Sequence, residues 1–229
     1  MKNKSSKRYK KLLEGSKDKK IQTLEDAIKK IKNNCTAKFD ESIDVSLNLN
    51  LKQKKEEINL RTIINLPHGN GKKIKIAVLC EEGKIKEAKD SGADLVGSEN
   101  LVNDITSGKI NFDKLIATPA MMSKMGKLGK ILGPKGLMPN PKLGTVTNDL
   151  KKIVKSLKEG QIEIKNDKDG NLAASIGKKS FPDNKIIENF NAFIQTIQKE
   201  KPSGLKGNFI LSSFLTSTMG ISYKVNLKA

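Results

Sequence analysis

Histidine occurs once in this 229-residue chain, at position 68, so any Ser-His-Asp or Cys-His constellation would have to be built on it. His68 sits in a Pro67-His68-Gly69 turn, and a structural turn residue is the expectation there. Cys35 and Cys80 stand apart, with no CxxC spacing and no neighbouring His, which indicates neither a zinc site nor a disulfide. Both are expected as reduced, buried or half-buried thiols. Asp167 and Asp169 are spaced like an acid pair or metal ligands, but the stretch DKDGN around them reads as turn chemistry. The run HGNGKK lacks the earlier glycine of a P-loop and has Lys73 where Ser or Thr would hold magnesium. No catalytic set, metal site or cofactor site is expected.

The residues that could bind point instead to a polyanion. Net charge is +19, and it is clustered: residues 1–20 hold nine basic and two acidic groups. Between Met121 and Asn148 lie five glycines, three prolines, five lysines and no acid. Such a segment is not expected to pack as an ordinary helix or strand. Its glycines permit unusual backbone angles and its prolines fix φ, so the path is specified, and Lys127, Lys130, Lys135 and Lys142 make it a secondary basic loop. Only Arg8 and Arg61 are arginines among 44 basic residues, which leaves little bidentate reading of base edges. Two short stretches carry finer chemistry. In Lys38-Phe39-Asp40-Glu41-Ser42 an aromatic adjoins a cation, and Phe39 either stacks on a base or sugar or plugs the core. Thr216-Ser217-Thr218-Met219-Gly220 offers hydroxyls and amides for phosphate and ribose oxygens, or is a plain hairpin turn.

These residues need elements to hold them. After the basic tail, Thr23 and Asp26 predict a capped helix through about Asn33. Ile43, Val45, Leu47, Leu49 and Leu51 alternate with polar residues, as a half-buried strand requires. A charged connection, KQKKEE, leads to a second strand in NLRTIINLP. From Lys72 the pattern becomes strand, helix, strand, helix, strand through Pro119, which predicts parallel βαβ units. Beyond the basic loop, Thr145 or Thr147 should cap a helix that Gly160 stops. QIEIKN and LAASIG should form a hairpin over Asp169-Gly170, and Asp183 should cap a helix with Ile186, Phe190, Phe193 and Ile197 inward. Two strands, NFILSSFLT and ISYKVNL, close the chain.

Residues 1–67 and 159–229 share antiparallel, helix-on-one-face character, whereas 68–158 alternate. The expected fold is an α+β terminal domain, an antiparallel sheet with helices on one face, interrupted by an inserted α/β domain. No stretch approaches the roughly 20 apolar residues that span a bilayer, and the first 20 residues lack a secretory core, so a cytoplasmic protein without membrane contact is expected.

AKFDESIDV, NLPHGNGK, GADLVG, KLGKILGPKGLMPNPKLGTV, KNDKDG, IGKKSF and TSTMG follow one another in an order that resembles a known family. It is the lateral-stalk protein of the large ribosomal subunit, the universal L-one family, in its bacterial form. The resemblance implies a split, RRM-like terminal domain and a Rossmann-like three-layer insertion. It implies binding of large-subunit rRNA at the mobile stalk through Lys38, Phe39, Ser42, Thr218, Met219 and Gly220, with Thr216 and Ser217 beside them and Lys165 and Lys168 nearby. It further implies help in releasing exit-site tRNA, repression of the protein's own operon mRNA, and a monomer off the ribosome. Two positions depart from the family pattern: Ala173 stands where His is common, and Ile221 where Pro or Val is usual. The rival expectations are a nucleotide- or small-molecule-binding enzyme on the central α/β unit and a nonspecific nucleic-acid condensing protein.

Overall fold

Alternating apolar residues make the central strand of the first sheet. Ile43, Val45, Leu47 and Leu49 point inward and are fully buried, while Ser42, Asp44, Ser46 and Asn48 take the other face. The computed structural model describes residues 6–15, 21–50, 60–202, 205 and 207–227. Leu51 and the KQKKEE connection lie outside the described residues. In chain order the elements are α1 (Lys7–Gly15), α2 (Leu24–Asn34), β1 (Ser42–Leu49), β2 (Arg61–Asn65), β3 (Ile76–Leu79), α3 (Ile85–Asp90), β4 (Leu95–Gly97), α4 (Glu99–Thr106), β5 (Lys114–Ala117), α5 (Met122–Met125), α6 (Gly129–Leu132), α7 (Leu150–Glu159), β6 (Gln161–Lys165), β7 (Asn171–Lys178), α8 (Asp183–Lys199), β8 (Ile210–Ser217) and β9 (Tyr223–Val225). The chain is a mixed α/β protein. It divides into two compact units, Met1–Gly71 with Ile162–Ala229, and Lys72–Gln161.

In the first unit β7, β1, β8 and β9 form one antiparallel sheet in that order, and β2 pairs with β6 in a separate two-stranded ribbon. Helices α2 and α8 supply the apolar cover: Ala27, Ile28 and Ile31 from one, Ile186, Phe190, Phe193 and Ile197 from the other. Thr23 caps α2, its hydroxyl accepting from Asp26 N–H at 3.3 Å. Buried Asn189 on α8 accepts from His68 N–H at 3.1 Å and donates to Gly69 O at 2.9 Å and Ile176 O at 2.8 Å. His68 thus serves as a turn residue, its ring meeting Glu188.

In the second unit β4, β3 and β5 are parallel, and the pleat sends alternate residues to two apolar layers. Ala77, Leu79, Leu115 and Ala117 pack with Leu101 and Ile105 of α4; Ile76, Val78 and Ile116 pack with Leu150, Val154 and Leu157 of α7.

Four expectations need correction. The Gly/Pro/Lys segment does wind helically. Residues 119–132 form successive short turns, because Met121, Met125, Leu128 and Leu132 recur every three or four positions and bury completely or nearly so against the sheet. Burying such a side chain gains about 1.5–3 kcal/mol, more than the roughly 1 kcal/mol that each helical glycine costs. Gly126, Gly129 and Gly133 accordingly adopt right-handed helical angles, and only Gly136 and Gly144 of that loop have positive φ. The tight turn at Asp169-Gly170 exists, but β6 and β7 go to different sheets, so no hairpin forms. Helix α7 starts after Asp149, with Thr147 Oγ1 accepting from Asp149 N–H at 3.1 Å, and Asp183 is the first residue of α8, not its cap. The basic tail contains α1.

Candidate nucleic-acid interface

Where β1 begins and β8 ends, two loops are stitched together. Thr218 N–H donates to Ser42 O at 3.1 Å, and Ser42 N–H returns a bond to Thr218 Oγ1 at 3.0 Å. Between the loops lies Glu41, 0% exposed. Its two oxygens accept from Ala37 N–H at 3.0 Å and from Met219 N–H at 3.1 Å, one on each side. Burial pushes this carboxyl up, but the Ala37 amide, the neighbouring Ser217 hydroxyl, the Met219 amide and the Arg8 charge outweigh it and hold the group below its ordinary value. An ionised carboxylate is therefore the internal anchor of the surface.

Two large apolar side chains stand out from that anchor. Phe39 is 53% exposed and Met219 is 49% exposed, so Phe39 is no core plug. Lys38 beside Phe39 is exposed as well. The Phe39 loop is braced from below: Asp40 accepts from Ser180 N–H at 3.1 Å and from its hydroxyl at 2.8 Å, while Lys179 Nζ donates to Cys35 O at 2.8 Å. Cys35 is buried under the same loop, and burial pushes its thiol up. Gly220 allows the Met219 turn to close, because a methyl group there would overlap the Ser217 hydroxyl. Thr216 Oγ1 donates to Ser217 O at 3.1 Å. A rigid frame with an exposed ring, a thioether, a lysine and outward loop edges can stack on a base and follow a sugar-phosphate path.

The structure gathers Lys38, Phe39, Ser42, Thr216, Ser217, Thr218, Met219 and Gly220 at one end of the sheet. Lys165 and Lys168 are elsewhere. The 167–170 turn that carries Lys168 bonds Leu49 through Gly170 O at 2.8 Å, at the opposite end of β1. Seven residues of strand, about 23 Å, separate the two ends. In this turn Asp167 accepts from Asn171 N–H at 2.6 Å and Asp169 N–H at 3.0 Å, which draws its carboxyl below the ordinary value and gives it a turn-building role. Lys127, Lys130, Lys135 and Lys142 are exposed on the second unit. Ala173 is exposed opposite Ser46, and Ile221 is buried in the first core. Among the described residues no group of three or more His, Cys, Asp and Glu is placed to hold a metal, and no helix is long and apolar enough to cross a membrane.

Residue reasoning passes over two members of this site, Glu41 and Arg8. Glu41 carried a legible signal: it continues the inward phase of Ile43, Val45 and Leu47, where a charge has to be held by partners. Arg8, whose guanidinium donates to Met219 O, had none beyond its rarity in a lysine-rich chain.

Residues 28–221 match the ribosomal protein L1p/L10e family. The chain is 57% identical over 223 residues to the large ribosomal subunit protein uL1 of Pelagibacter ubique (strain HTCC1062), covering 97% of each. It is 46% identical over 207 residues to uL1 of Rickettsia akari (strain Hartford), covering 90% of this chain and 87% of that one. With uL1 of Rickettsia canadensis (strain McKiel) the identity is 42% over 227 residues, covering 99% and 95%. The expectation of an enzyme on the central unit falls with these likenesses, since the family is one of structural ribosomal proteins. The match across most of the sequence leads to one conclusion: the chain belongs to the ribosomal protein L1p/L10e family, in its bacterial form.

Proposed function

We propose that this protein is a component of the large ribosomal subunit in the cytoplasm, binding the rRNA of the lateral stalk through the Phe39 and Met219 face. The observation that carries this reading is the pair of exposed side chains, Phe39 and Met219, on two loops whose Ala37 and Met219 amides are both held by the buried Glu41 carboxylate. Ring stacking and backbone contacts give preference for a folded junction, and lysines elsewhere add attraction without selection. Lys165 and Lys168 act as a separate electrostatic contact at the far end of the sheet, and Lys127, Lys130, Lys135 and Lys142 as another on the second unit. The two compact units are the discontinuous RNA-binding domain, with an RRM-like split, and the inserted Rossmann-like domain. The same protein, a monomer off the ribosome, assists release of exit-site tRNA and represses translation of its own operon mRNA by gripping a site that mimics the ribosomal one.

Crosslinking in cells followed by sequencing of the bound RNA tests this reading. The expected result is one dominant peak in a large-subunit rRNA helix, with a second in an operon leader and a weaker tRNA signal. Diffuse recovery of RNA in proportion to abundance would mean that the protein is a nonspecific condenser. A missing leader peak would remove repression alone.

A further inference from the structure

Helix α1 lies outside residues 28–221, the stretch that the family match covers. Nine residues are too few to hold a helix alone in water, and α1 is held by docking. Arg8 and Leu12, four apart on one face, turn toward the first unit: Leu12 packs on its core, and the Arg8 guanidinium donates to Met219 O. Met219 is thereby tied at both backbone groups, its N–H to Glu41 and its carbonyl to Arg8. In a chain that is nearly all lysine among its cations, arginine is placed where a planar, multi-donor head can reach both the carbonyl and the field of the Glu41 carboxylate.

Docking leaves the remaining faces of α1 outward. One flank carries Lys7 and Lys11, the other Tyr9 and Leu13, with Lys10 and, one turn on, Glu14 between them, and all six are exposed. The first turn contains no acid to meet the positive end of the helix dipole, and cations crowd there instead. An anion beside this turn would relieve that repulsion, and RNA seated on Met219 brings one.

We propose that α1 is a wall of the RNA interface: Arg8 locks it to the Met219 turn so that Lys7, Lys10 and Lys11 meet phosphates of the RNA that Phe39 and Met219 engage. This deepens the reading under Proposed function and rests on it.

The test uses the full-length protein, a stalk fragment of large-subunit rRNA and a scrambled RNA of equal length. Variants are Lys7→Gln/Lys10→Gln/Lys11→Gln together, Arg8→Ala, Arg8→Lys and Phe39→Ala. In the triple variant the thermal melt stays as in wild type. Its salt dependence on the stalk fragment flattens by about 0.7–0.9 for each phosphate that is no longer neutralised. Hydroxyl-radical footprints lose the nucleotides flanking those that depend on Phe39. Arg8→Ala loses the same flanking protection and also weakens preference over the scrambled RNA, and Arg8→Lys recovers only the salt dependence. An unchanged salt dependence and footprint in the triple variant, on RNA that Phe39→Ala releases, overturns the wall and leaves the wider reading standing. If Phe39→Ala keeps full preference, the wider reading fails, and the proposal with it.

Discussion

Replacing Glu41 with Gln changes one charge and one acceptor at almost constant volume. In the folded chain one carboxylate oxygen accepts from Ala37 N–H and the other from Met219 N–H. A carboxamide has a single oxygen, so one of these N–H groups must face an NH2 donor. A hydrogen bond to a charged group contributes about 1.5–3 kcal/mol, and losing one predicts destabilisation of that size. At about 2–4 °C per kcal/mol this lowers Tm by roughly 3–12 °C. The pH dependence has a definite sign. Because the folded carboxyl titrates below its ordinary value of 4.5, its stabilisation is complete above that pH and is lost as the pH falls through the folded value. The gap in Tm between wild type and Glu41→Gln should therefore be constant from neutral pH to about 5 and narrow in more acidic buffer. Thermal melts at several pH values, with affinity for the stalk fragment at neutral pH, measure both parts. Equal Tm at neutral pH, or a gap that persists undiminished in acid, would refute the anchoring role of this carboxylate.

Phe39→Ala should leave Tm nearly unaltered, since the ring is half exposed, yet weaken the stalk fragment by about 1–3 kcal/mol, read by filter binding or fluorescence anisotropy. Gly220→Ala should lower Tm by overpacking against the Ser217 hydroxyl, by about 1–3 kcal/mol, and adding Ser217→Gly should restore part of the loss in the same melts. Gln at Lys165 and Lys168, or at Lys127, Lys130, Lys135 and Lys142, should flatten the salt dependence for stalk and scrambled RNA alike, leaving their affinity ratio unaltered.

Elements with their own local pattern were legible in the sequence. The alternation from Ile43 placed β1, and the Thr23-Asp26 pair placed the start of α2. Partner choice was harder to read. Asp169-Gly170 announces a reversal of the chain, but a turn does not say which strands pair, and here β7 joins β1 while β6 joins β2. The Gly/Pro/Lys segment misled in the other direction: glycine content argued against helix, whereas methionine and leucine at helical spacing decided the matter through burial. Residue type left Phe39 between a stacking and a core role, and the Met219 side chain entered through the family resemblance; the exposure of both and their common frame are products of tertiary packing between segments some 180 residues apart along the chain. Lys165 and Lys168 illustrate the limit of motif order, which carries no distance.

Competition binding between the folded stalk junction and a scrambled RNA of the same length and composition bears on the whole account, measured across salt for wild type and for Phe39→Ala/Met219→Ala. Wild type should hold a preference that persists as salt rises, and the double variant should fall to near parity while keeping the same salt slope. Equal affinity of wild type for both RNAs, or a preference that survives loss of both side chains, would contradict it.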